Sequence, residues 1–168
     1  MNDIEIKNAT ILDGLGNDPY TGNIYVKDGK IVVITHEETY EASVSLDASG
    51  KIVSPGFIDL HTHSDISFLL DSTAQSKVRQ GVTLELIGNC GLSICAPLIG
   101  DARDMFDTWV SDHTDSYTPD WIDYAGYIKA SKKAKATLNI AFQIGHASLR
   151  LAVMGQDDRS PTADELTE

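Results

Sequence analysis

About a third of the way along, the sequence reads Pro55-Gly56-Phe57-Ile58-Asp59-Leu60-His61-Thr62-His63-Ser64-Asp65. The Pro-Gly pair predicts a turn, and the apolar residues after it predict a buried strand. Side chains two positions apart lie on the same face of a strand, so His61 and His63 are expected to project together, with Phe57 and Asp59 on their side. Two parallel imidazoles at a strand end supply half of the ligands of a zinc-type site. The segment therefore predicts a metal site.

Two further predicted strands also end in residues that bind metals. Val82 to Ile87 runs into Gly88-Asn89-Cys90-Gly91, and Leu138 to Ile144 runs into Gly145-His146. As a thiolate, Cys90 would be a direct zinc ligand, whereas the alternative is a small buried residue. A turn flanked by glycines favours the ligand.

Helical patterns separate these strands. A short helix capped by Asp71 or Ser72 is expected to end at Gly81. Amphipathic spacing predicts a second helix within residues 101–117, and Thr118-Pro119-Asp120 predicts the start of a third, which continues to Ala130. A fourth is expected to begin near Ser160. Strands that alternate with helices predict βαβ units and a parallel sheet.

One strand residue has no obvious place in such a sheet. Glu85 lies within the predicted strand Val82 to Ile87, where a buried carboxylate needs a partner that the sequence does not identify. An ion pair near the strand end is the expected explanation.

The first 54 residues predict β structure alone. Asp28-Gly29 separates two β-rich arms, as a type I′ hairpin requires, and further arms follow at Ser43 to Asp47 and Ile52-Val53. We expect a small meander, which needs a partner surface to be stable.

Composition excludes several partners. The formal net charge is −12, which disfavours binding to nucleic acids or anionic membranes. Two cysteines do not make a disulfide scaffold, and the sequence shows neither a signal peptide nor an apolar run of transmembrane length. A soluble cytoplasmic protein acting on a small-molecule substrate is expected.

The segment around His61 and His63 resembles the signature of the amidohydrolase superfamily, in which these histidines close the first barrel strand. Four further segments narrow the resemblance to the N-acyl-D-amino-acid deacylase (D-aminoacylase) family: Gly81-Val82-Thr83 followed by Gly88-Asn89-Cys90-Gly91, and Gly145-His146-Ala147-Ser148-Leu149-Arg150 followed by Val153-Met154-Gly155.

This resemblance implies an α/β fold: the N-terminal part of a metal-dependent hydrolase (β/α)8 (TIM) barrel, preceded by a small β-sandwich-type domain. Residues 1–54 would be the N-terminal share of that composite β-domain, and residues 55–168 the first βα units of the barrel. A complete barrel needs about 250 residues. The chain is therefore expected to be an N-terminal fragment that depends on missing C-terminal segments or self-associates.

The resemblance also implies the chemistry, which is zinc-dependent hydrolysis of the amide bond of N-acyl-D-amino acids. One or two Zn²⁺ ions would be bound by His61, His63 and Cys90, with Cys90 in place of the carboxylated lysine of dihydroorotase-like relatives. The catalytic aspartate and the remaining ligands are expected beyond residue 168, so the fragment alone would be inactive. Further residues expected to meet the substrate or support the ligands are His146, Arg150, Asp65 and Asn89.

Two alternatives remain open at this point. A cyclic-amide hydrolase of the dihydroorotase or hydantoinase type would carry a metal-bridging lysine on its fourth strand. A degenerate fragment that acts as a non-catalytic binding module would fold as a monodisperse chain without a tightly bound metal. For two of the further residues a structural role is the alternative: a partly buried histidine for His146, and a surface or helix-end arginine for Arg150.

Overall fold

The computed structural model describes residues 1–112, 114 and 117–167. Two compact units divide the chain, Met1–Pro55 and Gly56–Glu168. Each unit is built on its own sheet, one of five strands and one of three.

The five-stranded sheet contains β1 (Asn2–Ile11), β2 (Tyr20–Lys27), β3 (Lys30–Thr35), β4 (Ala42–Asp47) and β5 (Ile52–Val53). The strand order is β3-β2-β1-β4, and β5 also pairs with β1. Strands β1, β2 and β3 are antiparallel neighbours, but β4 and β5 run parallel to β1. The predicted meander is therefore wrong for the last two strands. The connection after β3 returns the chain to the start of β1, where Asn2 pairs with Ala42.

The predicted hairpin between β2 and β3 is confirmed. Asp28 and Gly29 have φ angles of 51° and 71°, the left-handed conformation that both central residues of a type I′ turn adopt. The backbone N–H of Asp28 also donates to a carboxylate oxygen of Asp3 at 2.7 Å, which joins the turn to β1.

A buried carboxylate lies within this first sheet. Glu5 accepts hydrogen bonds from the Tyr25 hydroxyl at 2.5 Å and from the Ser45 hydroxyl at 2.9 Å, and the Lys7 ammonium lies 3.1 Å away. The Tyr25 hydroxyl holds the pKa of Glu5 below its ordinary value, although burial opposes the shift. These contacts join β1, β2 and β4.

The three-stranded sheet of the second unit is entirely parallel, in the order β6-β7-β8, which confirms the predicted βαβ arrangement. Its strands are β6 (Phe57–Asp59), β7 (Val82–Ile87) and β8 (Asn139–Phe142). Its helices are α1 (Ser67–Leu70), α2 (Gln75–Val78), α3 (Gly100–Ser111), α4 (Tyr124–Ala134) and α5 (His146–Met154).

The short helix predicted after β6 is in fact two separate turns of helix, α1 and α2. Asp71 is the C-cap of α1 and not the N-cap of a helix; its carboxylate accepts from the backbone N–H and the hydroxyl of Thr73 at 3.0 and 2.6 Å. Such a local side-chain bond competes with helical hydrogen bonding. Ala74 then has a φ of 44°, so the helix restarts only at Gln75.

The helix predicted from Thr118 begins later, at Tyr124. The intervening residues are non-helical because Trp121 is buried there and donates its indole N–H to the Ile94 carbonyl at 2.8 Å. Asp123 is the actual N-cap and accepts from the Gly126 N–H at 2.7 Å. Burial of one aromatic side chain has overridden the local capping signal.

The two other predicted helices differ in extent. Helix α3 ends at Ser111, and His113, to which the sequence assigns no role, lies outside the described residues. Beyond Ser160 the chain forms turns rather than a helix, although Thr162 and Glu165 exchange the reciprocal side-chain-to-backbone bonds of a capping box, at 2.7 and 3.3 Å.

The core of the second unit supports the segment that follows the two histidines. Ile66 and Phe68 pack with Ile87 of β7 and with Tyr127 of α4. The Tyr127 hydroxyl donates to the backbone carbonyl of Asp65 at 2.6 Å. In the described part of the chain, no helix combines the length and the apolar character that crossing a bilayer requires.

Candidate metal centre

The side chains of His61, His63 and Cys90 converge in the second unit. One ligand atom from each residue lies within 4.8 Å of the other two, and all three residues are exposed. His61 Nε2 lies 3.3 Å from Cys90 Sγ. Within residues 1–112, 114 and 117–167, this is the one group of three or more histidine, cysteine or acidic side chains placed closely enough to share an ion.

A bend in the backbone, rather than a continuing strand, presents the two histidines. Strand β6 ends at Asp59, and Leu60 is 66% exposed. One carboxylate oxygen of Asp59 accepts from the His61 N–H at 3.2 Å, and the other lies 2.7 Å from the Lys77 ammonium. The expectation that Asp59 projects together with the histidines is therefore wrong, because its side chain faces α2 and closes the bend.

Thr62, between the two histidines, is buried and is bound on two sides. Its hydroxyl lies 3.1 Å from the Lys77 ammonium, which donates to it. Its backbone carbonyl accepts from the Asn89 side-chain amide at 3.1 Å. Thr62 is therefore anchored through its side chain by Lys77 and through its backbone by Asn89.

The turn that carries Cys90 has glycine at two positions with a left-handed backbone, Gly88 and Gly91. Cys90 has a φ of 57°, between Gly88 at 81° and Gly91 at 77°. A Cβ atom on Gly88 would lie 2.2 Å from the Gln143 carbonyl oxygen, so this residue is glycine for reasons of space as well as conformation. The Asn89 amide also donates to the Leu86 carbonyl at 2.7 Å. The turn leaves the Cys90 thiol exposed, which excludes the interpretation of Cys90 as a buried filler.

The second cysteine has a different environment. Cys95 is fully buried, and its thiol lies 3.0 Å from the Gln143 carbonyl, to which it donates. Burial raises the pKa of this thiol. Cys95 is therefore a packing residue, and of the two thiols only that of Cys90 can reach an ion in the cluster.

Asp65 lies beside the cluster but is not one of its members. Its side chain is buried, and this burial raises its pKa to about 6. Together with His63 it lines a cavity of about 220 Å³ whose other walls are mainly apolar and include Met105, Phe106 and Trp109 of α3. Apolar residues of the predicted amphipathic helix α3 therefore border the candidate site in the structure.

The remaining candidates lie apart from the three ligands. His146 is the exposed first residue of α5 and is outside the cluster. The Arg150 guanidinium donates to the carbonyls of Asp157 and Arg159 at 2.6 and 2.7 Å, which stabilises the segment after α5. Their proposed contacts with the substrate stay predictions.

Lys77 is the charged partner of Glu85 that the sequence did not identify. The Lys77 ammonium lies 3.0 Å from Glu85 Oε1, and Glu85 pairs with Asp59 in the register of β6 and β7. Sequence reasoning missed Lys77. The available signal was a single lysine in the helix that leads into β7, eight positions before Glu85.

The donor set suits a zinc-type ion. Two imidazoles and one thiolate match the ligands that zinc prefers, and catalytic zinc sites commonly have three protein ligands and an open position. The exposure of all three side chains leaves room for that position. The residues present therefore fit the ion that the sequence predicted.

A parallel sheet with candidate metal ligands at its carboxyl edge is the arrangement expected of a metal-dependent hydrolase. The sequence model of the Amidohydrolase family matches residues 45–167, so the chain belongs to that family.

The relatives are more specific. The chain is 34% identical over 164 residues to the N-acyl-D-glutamate deacylase of Alcaligenes xylosoxydans xylosoxydans, a match that covers 97% of this chain and 32% of the relative. It is also 34% identical to the D-aminoacylase of the same organism, over 98% of this chain and 33% of the relative.

A solved structure gives the same result. The N-acyl-D-glutamate deacylase of Bordetella bronchiseptica, in complex with zinc and a phosphonate inhibitor, matches with a TM-score of 0.82 and 36% identity, over 99% of this chain and 34% of that chain. The matching D-aminoacylases are TIM-barrel amidohydrolases with a small β-domain, which confirms the predicted fold class. The chain spans about a third of the length of these relatives.

Proposed function

We propose that this chain forms part of a metal-dependent hydrolase. The whole enzyme would cleave the amide bond of N-acyl-D-amino acids and release a carboxylic acid and a D-amino acid. The observation that carries the proposal is the convergence of His61, His63 and Cys90. It occurs in a chain that resembles D-amino-acid deacylases over nearly its whole length. Because the chain spans about a third of those relatives, the activity is proposed for the whole protein.

We assign the two units accordingly. Residues 1–54 would form the N-terminal share of a composite β-domain, and residues 55–168 the first βα units of the barrel. The all-parallel sheet β6-β7-β8 and the helices between its strands support the second assignment. Active sites of such barrels lie at the carboxyl ends of the strands, where His61, His63 and Cys90 are found.

Zinc, as one or two ions, is the metal we propose for His61, His63 and Cys90. When bound, such an ion supplies Lewis acidity that activates water and polarises an amide carbonyl. The described residues would hold and orient the metal ligands. Asn89 and Lys77 anchor Thr62 between the two histidines, and the glycine-flanked turn presents Cys90. We place the proton-transferring aspartate outside these 168 residues.

The test is an assay of the full-length, zinc-loaded protein on paired N-acetyl-D- and N-acetyl-L-amino acids. Turnover of the D series alone is expected. Cys90→Ser should lower zinc content and reduce the rate at least about 100-fold, because one of the proposed ligands is lost. Cys95→Ser is the matched control and should retain both zinc and activity, since that thiol is buried away from the cluster.

Two results would contradict the proposal. One is hydrolysis of cyclic amides with no turnover of either acyl series, which would favour the hydantoinase type. The other is wild-type activity and zinc content in Cys90→Ser, which would remove Cys90 from the site.

A further inference from the structure

Lys77 links four structural elements near the candidate metal centre. It belongs to α2, and its ammonium group lies 2.7 Å from Asp59 Oδ2, 3.0 Å from Glu85 Oε1 and 3.1 Å from the Thr62 hydroxyl. These partners belong to the end of β6, to β7 and to the segment between the histidines. None of these residues belonged to the metal site predicted from the sequence, in which Asp59 was only expected to lie on the same side of the strand as the histidines.

Two neighbouring carboxylates stabilise the positive charge of Lys77. Burial by itself lowers the pKa of this amine, but the carboxylates of Asp59 and Glu85 outweigh it, and the net pKa is raised. The Lys77 side chain is 27% exposed, whereas that of Glu85 is only 1% exposed. The ammonium group therefore remains a cation that faces two carboxylates from partly inside the protein.

We propose that Lys77, paired with Glu85, is a positioning residue for the metal ligands of the first strand. The inference rests on the metal site proposed above. Asp59 and Thr62 lie on either side of His61, and Lys77 binds both of them. One side chain thus fixes the entry and the exit of the bend that carries the first ligand.

The same contacts set the distance between ligands on different strands. Glu85 is part of β7, the strand that runs into the turn carrying Cys90, and it lies opposite Asp59 in the sheet register. Lys77 therefore joins the histidine-bearing bend to the strand that leads to the thiol. In this arrangement a local shift of the bend changes the separation of His61 from Cys90, which is 3.3 Å between Nε2 and Sγ.

Stability alone is a poor explanation for this buried carboxylate. Replacing a buried ion pair by apolar residues is often neutral or stabilising, because both charges must be desolvated. Among the described residues, Glu85 Oε1 has no aligned hydrogen-bond donor, so its pairing with Lys77 is an ionic contact without a directed bond. What the pair provides is orientation, since the ammonium group it holds also contacts Asp59 and Thr62.

The experiment compares four forms of the full-length protein: wild type, Lys77→Met, the double variant Lys77→Met/Glu85→Gln, and the control Lys132→Met, which changes an exposed lysine of α4. Zinc affinity is measured by competition with a chelator. Thermal unfolding and the amide hydrogen exchange of residues 60–63 are measured in the metal-free protein.

Lys77→Met is expected to weaken zinc binding about 10- to 100-fold, as loss of residues that orient metal ligands does. It should also lower the unfolding midpoint, because Glu85 is left buried without its counter-ion. The double variant should recover the midpoint but not the zinc affinity. Exchange at the His61 amide should be about tenfold faster in both Lys77 variants and unchanged in Lys132→Met.

Zinc affinity in the double variant within about twofold of wild type would overturn the proposal, because Lys77 would then act only through stability. Unchanged exchange at residues 60–63 would overturn it as well. If wild-type protein binds no zinc, the proposed metal site fails. The exchange measurement still decides in that case whether Lys77 holds the bend.

Discussion

Asn89→Ala tests how the turn after β7 supports the candidate ligands. The Asn89 amide donates to the backbone carbonyls of Thr62 at 3.1 Å and Leu86 at 2.7 Å, and its oxygen accepts from the Gln143 side chain at 3.3 Å. A single side chain therefore connects the histidine segment, the end of β7 and the residue just beyond β8. The substitution removes all three contacts, and among the described residues it takes away the hydrogen-bond donor of the Thr62 carbonyl.

The expected magnitude follows from the two shorter bonds. Each contributes about 0.5–1.5 kcal/mol, so the variant should lose about 2 kcal/mol of unfolding free energy. A chain of 150–250 residues would show a decrease of about 4–8 °C in the unfolding midpoint, and the longer full-length protein should show a smaller one, because the entropy of unfolding grows with chain length. Zinc affinity should fall about tenfold or more, because Thr62 separates the two histidine ligands.

Asn139→Ala is the matched control. The Asn139 side chain also donates to a carbonyl of β7, that of Thr83, at 3.1 Å, but it is exposed and lies at the opposite end of the strand from Cys90. The Asn139→Ala substitution should lower the free energy of unfolding by about 1 kcal/mol or less and leave zinc affinity unchanged. Differential scanning calorimetry and chelator competition measure the two quantities.

An equal loss of zinc affinity in both variants would contradict this role of Asn89, as would unchanged zinc affinity in a folded Asn89→Ala protein. In the first case the effect would be general loosening of the sheet. In the second, Thr62 would not depend on Asn89.

Two further predictions concern single contacts in each unit. Tyr25→Phe removes a donor to the buried Glu5 carboxylate and should cost about 1.5–3 kcal/mol in urea unfolding at neutral pH. Because the bond lowers the pKa of Glu5, that difference is complete above its ordinary value of 4.5 and should shrink as the pH falls below it; a constant difference would contradict the assignment. Gly145→Ala would place a Cβ 2.3 Å from the Gly91 carbonyl oxygen. We therefore expect the free energy of unfolding to fall by at least about 1–3 kcal/mol and zinc binding to weaken. Gly16→Ala, with no atom within 4 Å of the added Cβ, should leave zinc affinity unchanged.

Sequence patterns identified the parts of this protein that depend on neighbours along the chain. The Asp28-Gly29 hairpin follows from the positive φ angles that a two-residue turn demands. The order of β6, β7 and β8 follows from strands that alternate with helical segments. His61, His63 and Cys90 were recognisable because each follows an apolar strand.

Patterns failed where a distant contact overrode a local preference. The helix expected at Thr118 begins at Tyr124, because Trp121 is buried and bonded to Ile94. Strand β4 pairs with β1 in parallel, because the edge at which a strand pairs depends on the arrangement of the whole sheet and not on the strand's own residues.

Residue chemistry and strand periodicity are local properties, so the types of residue at the candidate site and the strands that carry them could be predicted from the sequence. How those residues are held depends on tertiary packing. This packing turned Asp59 away from the histidines, brought Lys77 to Glu85, and anchored Thr62 from two sides. These contacts join α2, the end of β6 and the turn after β7, and their geometry depends on how the whole second unit packs.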